Sequence, residues 1–260
     1  MTCRRTGKRA LEFWMLAAAL GGASGCFCYL HPVHQPPPEM IQPCRDLPKC
    51  SRDHLHIFLV NGFDPFNYGN LTGVRDYLQS LGFHQTYYGQ FFHTAWYKKE
   101  IRRIQLEDAE AHFVLIGFSV GVNVVDSLAK CLKEDDIFID LMIWLSGNHP
   151  VQPMPHERPE NVGRVLNILA SGIMQTRGER DWAENYRPPK TWHFDLPIHA
   201  ETVERITEAL MQVAASIPVT EKETPPPALE DRPPTPRPVM PKVSSKTDEW
   251  DFLKPVSRRK

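Results

Sequence analysis

Short apolar runs alternate along the chain with longer segments of helical character. The runs are rich in strand-forming residues and predict six strands, at 54–60, 86–92, 112–116, 137–145, 164–170 and 191–194. Apolar residues at helical spacing, and in one segment a charged composition, predict helices near 71–82, 96–111 and 124–132 and from about residue 200. Strands that alternate with helices indicate an α/β fold, with a mostly parallel central sheet flanked by helices.

Proline residues mark the limits of this folded region. The chain has 260 residues and 24 prolines, which cluster before residue 49 and after residue 217. Residues 29–53 are therefore predicted to be a proline-rich linker, and residues 54–217 the folded domain. Residues 218–260 contain too few apolar side chains to offset the entropy of ordering, which predicts a disordered tail. The cluster at 250–253 would suit a protein partner of this tail.

The first 28 residues have the parts of an export signal. Basic residues are followed by an apolar stretch at 13–20, small residues at 21–25, and Cys26. The apolar stretch is shorter than the roughly 20 residues that cross a bilayer, but it suits a signal peptide. Residues 23–26 resemble a bacterial lipobox, with Ala23 where leucine is usual, so Cys26 is the predicted lipidation site. Ordinary signal cleavage and an uncleaved anchor are the alternatives.

This segment predicts an exported, membrane-anchored protein of the cell envelope, with the periplasm as one location. Export would also permit a disulfide between Cys44 and Cys50, which lie close together before the fold; a metal pair is the other interpretation. The formal net charge of −1 lacks the basic footprint of a nucleic-acid-binding protein. The eleven histidines show no paired helical spacing, and neither G-x-G-x-x-G nor a P-loop occurs, so no metal and no cofactor is expected.

The strongest chemical signal is the motif Gly117-Phe118-Ser119-Val120-Gly121. It lies between a buried strand and an amphipathic helix, which is the setting of a nucleophile elbow. In such a turn the serine backbone is strained and its hydroxyl is exposed at the carboxyl edge of the sheet. The following helix N-terminus adds positive potential where an oxyanion would form. Ser119 is therefore the candidate nucleophile, with a plain turn as the alternative.

With this motif, residues 55–213 resemble the α/β-hydrolase superfamily, in a short form that lacks the first two strands and any large cap. In that family a His-Gly-X motif follows an early strand, and the amide of X completes the oxyanion hole. The matching residues here are Asn61-Gly62-Phe63. The resemblance implies an oxyanion hole formed by the N–H groups of Phe63 and Val120. A simple strand-ending Asn-Gly turn is the alternative.

The family order of serine, acid and histidine suggests the other site residues. His193 and His199 both follow the last predicted strand, and His193 is favoured because it leaves a loop of ordinary length before the final helix. The acid should follow the strand that ends near residue 170, but residues 171–175 contain no carboxylate. Asp181 is the candidate acid and Glu179 its competitor, both further along than the family pattern. A dyad or a degraded site is the alternative.

These features together imply a membrane-tethered serine hydrolase that acts on an ester or thioester, with a small-molecule or acyl substrate. The second hypothesis is a non-catalytic α/β-hydrolase-like binding or scaffolding protein at the cell envelope. The displaced acid and the two proline-rich ends favour this second hypothesis. Contact of Ser119 Oγ with one ring nitrogen of His193, and of a carboxylate with the other, would distinguish the two.

Overall fold

The computed structural model describes residues 31–35, 38–147, 157–171 and 178–218. The predicted signal segment with Cys26, and the predicted tail from residue 219 onward, lie outside these ranges. In the described part, no helix is long and apolar enough to cross a bilayer. One sheet of six parallel strands with flanking helices forms the centre of the domain, which confirms the predicted α/β fold.

The strands are β1 (Leu55–Asn61), β2 (Thr86–Gln90), β3 (His112–Phe118), β4 (Ile139–Leu145), β5 (Val162–Ile168) and β6 (Glu184–Tyr186). The described helices are α1 (Pro38–Arg45), α2 (Lys49–Asp53), α3 (Leu71–Ser80), α4 (Thr94–Glu107), α5 (Gly121–Lys133) and α6 (Ala200–Ser216). Short 3₁₀ helices occur at Phe91–His93 and Leu196–Ile198.

The central strands are apolar on both faces, because helices cover the sheet from both sides. In β1, Ile57 and Leu59 belong to a core completed by α3 and α6, whereas Phe58 and Val60 belong to a core completed by α4 and α5. Successive side chains of a strand point to opposite faces, so a strand buried twice needs an unbroken apolar run. This explains why such runs predicted the central strands.

The order of the strands places a topological switch point between β1 and β3. The spatial order is β2-β1-β3-β4-β5-β6, and every neighbouring pair is parallel. The chain passes outward from β1 to β2 and then returns to place β3 on the other side of β1. The loops that follow β1 and β3 therefore diverge at the carboxyl edge, and such switch points are where open α/β sheets bind ligands. Asn61-Gly62-Phe63 follows β1, and Ser119 follows β3.

Residues 31–53 differ from the predicted linker, because much of this segment packs on the domain. Helices α1 and α2 occupy it, and Cys44 is fully buried in the core beneath α3 and α6. Pro38 is the first residue of α1, where a missing N–H costs little. Cys44 and Cys50 are free thiols rather than a disulfide. Burial raises the pKa of the Cys44 thiol to about 11, as expected of a structural cysteine.

The last strand also lies elsewhere than predicted. Residues 191–194 form no strand, and the sixth strand is β6, which pairs with β5 through Leu166 to Ile168. Residues 191–194 instead lie in a loop, where the ring of Phe194 lies 6.1 Å from that of Phe118. This loop brings His193 to the carboxyl edge of the sheet.

Candidate functional site

Ser119 occupies a strained turn between β3 and α5. Its φ angle is +56°, in the left-handed region that a residue with a side chain seldom adopts. The Ser119 N–H donates to the carbonyl of Leu145 at the end of β4, over 3.0 Å, and this bond holds the turn on the sheet. Because α5 begins only two residues later, at Gly121, the serine lies at the carboxyl edge and before the helix N-terminus.

Two glycines allow the loop after β1 to pack against this turn. A Cβ atom on Gly121 would lie 2.2 Å from the carbonyl oxygen of Val60. A Cβ atom on Gly62 would lie 2.8 Å from the backbone nitrogen of Val120 and 2.9 Å from Cβ of Ser119. All three distances are below van der Waals contact, so a larger residue would separate the loop from the turn. Gly62 and Gly121 therefore both allow close packing where β1 and its following loop meet the Ser119 turn, and we call this contact the junction.

The predicted oxyanion-hole donors lie at this junction. Gly62 touches the Val120 amide and is followed directly by Phe63. Neither Phe63 N–H nor Val120 N–H donates a hydrogen bond to another residue in the described part of the chain. Two adjacent amides without an internal acceptor at a helix N-terminus are suited to hold a developing negative charge.

His193 lies beside the turn that carries Ser119. Its ring centroid is 4.9 Å from that of Phe118, the residue before the serine, and its side chain is buried. His193 Nδ1 lies 2.8 Å from Ser146 Oγ, in a hydrogen bond. The other ring nitrogen, Nε2, is buried and has no hydrogen-bond partner among the described residues. Ser119 Oγ is thus not bonded to it in this structure.

Burial without a charged partner keeps this imidazole neutral. Desolvation lowers the pKa of His193 to about 4, because the imidazolium form would lose its hydration. A neutral imidazole with one free nitrogen is a potential proton acceptor. Catalytic hydrogen bonds are often long or absent in unliganded proteins, so the missing bond to Ser119 does not exclude this role.

Ser146 is a site residue that the sequence did not reveal. It follows β4 directly, is fully buried, and has a φ angle of +46°. Its N–H donates to the carbonyl of Ile168 at 2.9 Å, just as the Ser119 N–H donates to Leu145. Two neighbouring strands therefore end in serines with left-handed backbone. The segment Ser146-Gly147-Asn148 after a buried apolar run was the available signal, but it does not show which side chain the serine meets.

The structure does not bring the predicted acid to the histidine. Asp181 is exposed in the turn that precedes β6, and Glu179 is exposed just before it. His193 lies in the loop that follows β6, and its Nδ1 is already bonded to Ser146. A hydroxyl thus occupies the position at which the carboxylate was expected, and the role of Asp181 stays a prediction.

His199, the other candidate histidine, lies apart from the turn. It precedes α6, where its carbonyl accepts from Val203 N–H at 2.9 Å. It lines a small cavity with His31 and Asp195, among others. The described residues contain no group of three or more histidine, cysteine or acidic side chains that could bind a metal. The site thus consists of Ser119, His193, Ser146 and the two amides.

Neither the protein-family models nor the curated proteins compared with this chain give a match. The function must therefore be inferred from the chemistry of the site itself.

Proposed function

We propose that this chain is a membrane-tethered serine hydrolase of the α/β-hydrolase type that cleaves an ester or thioester. The observation that carries the proposal is the left-handed backbone of Ser119 at the switch point of the sheet, closed by Gly62 and Gly121. Backbone strain in a residue other than glycine persists where the surroundings enforce it, and it is concentrated at functional sites.

In the proposed reaction, Ser119 Oγ attacks the acyl carbonyl carbon while His193 Nε2 takes the hydroxyl proton. The N–H groups of Phe63 and Val120 donate to the oxyanion of the tetrahedral intermediate. Collapse breaks the bond to the alcohol or thiol, which leaves with the proton from Nε2. Water then attacks the acyl-serine by the same steps and releases the acid.

The Ser146 hydroxyl contacts Nδ1 of His193, where a catalytic triad has a carboxylate. This difference favours substrates with good leaving groups. A Ser146 hydroxyl that accepts from Nδ1–H holds the tautomer with a free Nε2, but it stabilises the imidazolium less than a carboxylate would. A thiolate leaves with little proton transfer, because a thiol has a pKa of about 8.5. Thioesters and activated esters are therefore expected to be better substrates than amides.

The second candidate function is a non-catalytic binding or scaffolding protein. The specific observation in its favour is that His193 contacts Ser146 but neither Ser119 nor a carboxylate in the described residues. In that case the strained turn would be a structural feature that a ligand or partner uses without chemistry.

Hydrolysis of a series of acyl thioesters and aryl esters by the full chain distinguishes the two functions. We expect Ser119→Ala to lower kcat/KM by at least about 10³-fold, the usual loss on removing a nucleophile. Ser80→Ala, on the surface-facing part of α3, is the matched control and should retain full activity. Activity that survives in Ser119→Ala, or a folded wild type inactive on every substrate, would favour the second candidate.

A further inference from the structure

Three large aromatic side chains are exposed at the carboxyl edge of the sheet. Phe63 follows β1, Phe92 follows β2, and Trp192 lies in the loop after β6, with exposed fractions of 70%, 66% and 73%. We refer to these three residues as the aromatic rim. Single exposed apolar residues are common on proteins, but three on one edge that also carries a candidate active site are not expected by chance.

Two of the rim residues adjoin the site residues directly. Phe63 follows Gly62, which touches the Ser119 turn, and Trp192 precedes His193. The two loops also contact each other, since the rings of Tyr68 and Phe194 lie 5.9 Å apart. A surface that bound the rim would therefore lie beside the turn that carries Ser119.

The chain enters the described domain at this same edge. The carbonyl of His31 accepts from Asn70 Nδ2 at 2.8 Å, and His34 N–H donates to the carbonyl of Ile198 at 3.0 Å. Asn70 ends the loop after β1, and Ile198 ends the loop that carries Trp192. The first described residues, which follow the predicted anchor segment in the sequence, therefore contact the loops that carry Phe63 and Trp192.

The other exposed large hydrophobic side chains do not form a comparable surface. They lie on α4 or just before β4: Trp96 beside Tyr87, Leu106 among the basic side chains of α4, and Phe138 near Gly163. They serve as matched controls for the rim.

We propose that the aromatic rim inserts into a lipid–water interface, so that the anchored domain docks on the bilayer by its carboxyl edge. Aromatic side chains prefer the interfacial region, and binding of a surface to lipid increases with the apolar area it inserts. The substrate would then be an acyl ester supplied from the membrane. This last step rests on the proposed hydrolase function, whereas docking does not.

Docking is tested by quenching of tryptophan fluorescence in the full chain reconstituted into phosphatidylcholine vesicles with brominated acyl chains. We expect Trp192→Phe to remove a quenched component, whereas Trp96→Phe leaves the quenched signal unchanged. Any quenching of Trp14 in the predicted anchor is common to all variants. An equal quenched signal in wild type and Trp192→Phe, or no association with the vesicles, would overturn the proposal.

The substrate is tested with one acyl ester embedded in vesicles and one soluble short-chain ester. Combined Phe92→Ser and Trp192→Ser substitutions should lower hydrolysis of the embedded ester at least about tenfold, the change expected for each 1.4 kcal/mol of lost binding. Hydrolysis of the soluble ester should change less than about twofold on the same scale. Leu106→Ser with Phe138→Ser should change neither rate.

The two proposals fail in different ways. If both substrates are affected equally by the rim substitutions, the rim acts on the site and not on the interface, and the lipid inference is wrong. If wild type hydrolyses neither substrate although Trp192 is quenched, the hydrolase function is wrong and docking stands.

Discussion

The two edges of the sheet treat their histidines in opposite ways. At the amino edge, His54 Nδ1 lies 2.7 Å from a carboxylate oxygen of Asp108, and His112 Nδ1 lies 2.8 Å from Asp140. At the carboxyl edge, His193 meets a hydroxyl, and its Nε2 has no partner among the described residues. The free Nε2 at the carboxyl edge supports the proposed role of His193 as a proton acceptor.

The pKa values of His112 and His193 are shifted in opposite directions, so the contrast can be measured. The hydrogen bond from Asp140 raises the pKa of His112, whereas burial lowers the pKa of His193 to about 4. His112 therefore stabilises the fold fully below its ordinary pKa of 6.5, and this contribution is lost as the pH rises through its raised folded pKa. The neutral His193 contributes fully above pH 6.5, and its contribution is lost as the pH falls toward 4.

The largest expected effect is on catalysis. His193→Gln should lower kcat/KM for a thioester by about 10²–10⁴-fold, because it removes the general base. His112→Gln, the matched histidine of the amino edge, should leave kcat/KM within about twofold, since it lies at the other end of β3. Equal losses in the two variants would show that the two edges do not differ in function.

The second effect concerns the junction that shapes the site. Gly121→Ala should lower the free energy of unfolding by about 3 kcal/mol, because the new Cβ would meet the Val60 carbonyl at 2.2 Å. Gly178→Ala is the control, since no atom lies within 4 Å of its added Cβ. Chemical denaturation measures both, and a Gly121→Ala protein as stable as the control would mean that the loop after β1 does not pack on the turn.

The third effect is that of a carboxylate introduced beside His193, like the carboxylates beside His54 and His112 at the amino edge. Ser146→Asp places a carboxylate at His193 Nδ1 and should raise the pKa of that imidazole by about 1–3 units, with an increase in kcat/KM near neutral pH. Aspartate and asparagine both tolerate the left-handed backbone at this position, so Ser146→Asn is the uncharged control. NMR titration of the His193 ring measures the shift. The same pKa in both variants would contradict the assigned contact.

The smallest effect is on stability as a function of pH. His112→Gln should lower the free energy of unfolding by about 0.5–1 kcal/mol at pH 5.5, because the ion pair is partly exposed. The difference from wild type should shrink as the pH rises to 8. Urea denaturation at a series of pH values provides the test, and a difference that grows with pH would reverse the assigned sign.

The sequence predicted those parts of the structure whose signal is local. The apolar runs predicted β1 and β3 because strands buried on both faces need unbroken runs, and the Ser119 motif predicted its turn because the glycines are required there. β6 was missed because it is a three-residue edge strand, Glu-Asn-Tyr, with little apolar content. Helix α1 was missed because burial of Cys44, and not propensity, holds it in place.

The role of Ser146 could not be predicted for a related reason. Its partner His193 is 47 residues away, and the contact depends on the loop after β6 folding back to the carboxyl edge. Part of the same loop, residues 191–194, was predicted as a strand. The expected acid at Asp181 came from chain order alone, which does not specify where a surface turn will lie.

Labelling of the full chain with a fluorophosphonate, followed by mass mapping of the modified residue, tests the central claim most directly. The site holds two serines with left-handed backbone, and Ser146 is fully buried whereas Ser119 has an exposed fraction of 7%. We therefore expect a single adduct on Ser119 that is lost in Ser119→Ala and strongly reduced in His193→Gln. No adduct on folded protein, or an adduct that persists in Ser119→Ala, would contradict the assignment of Ser119 as an activated nucleophile.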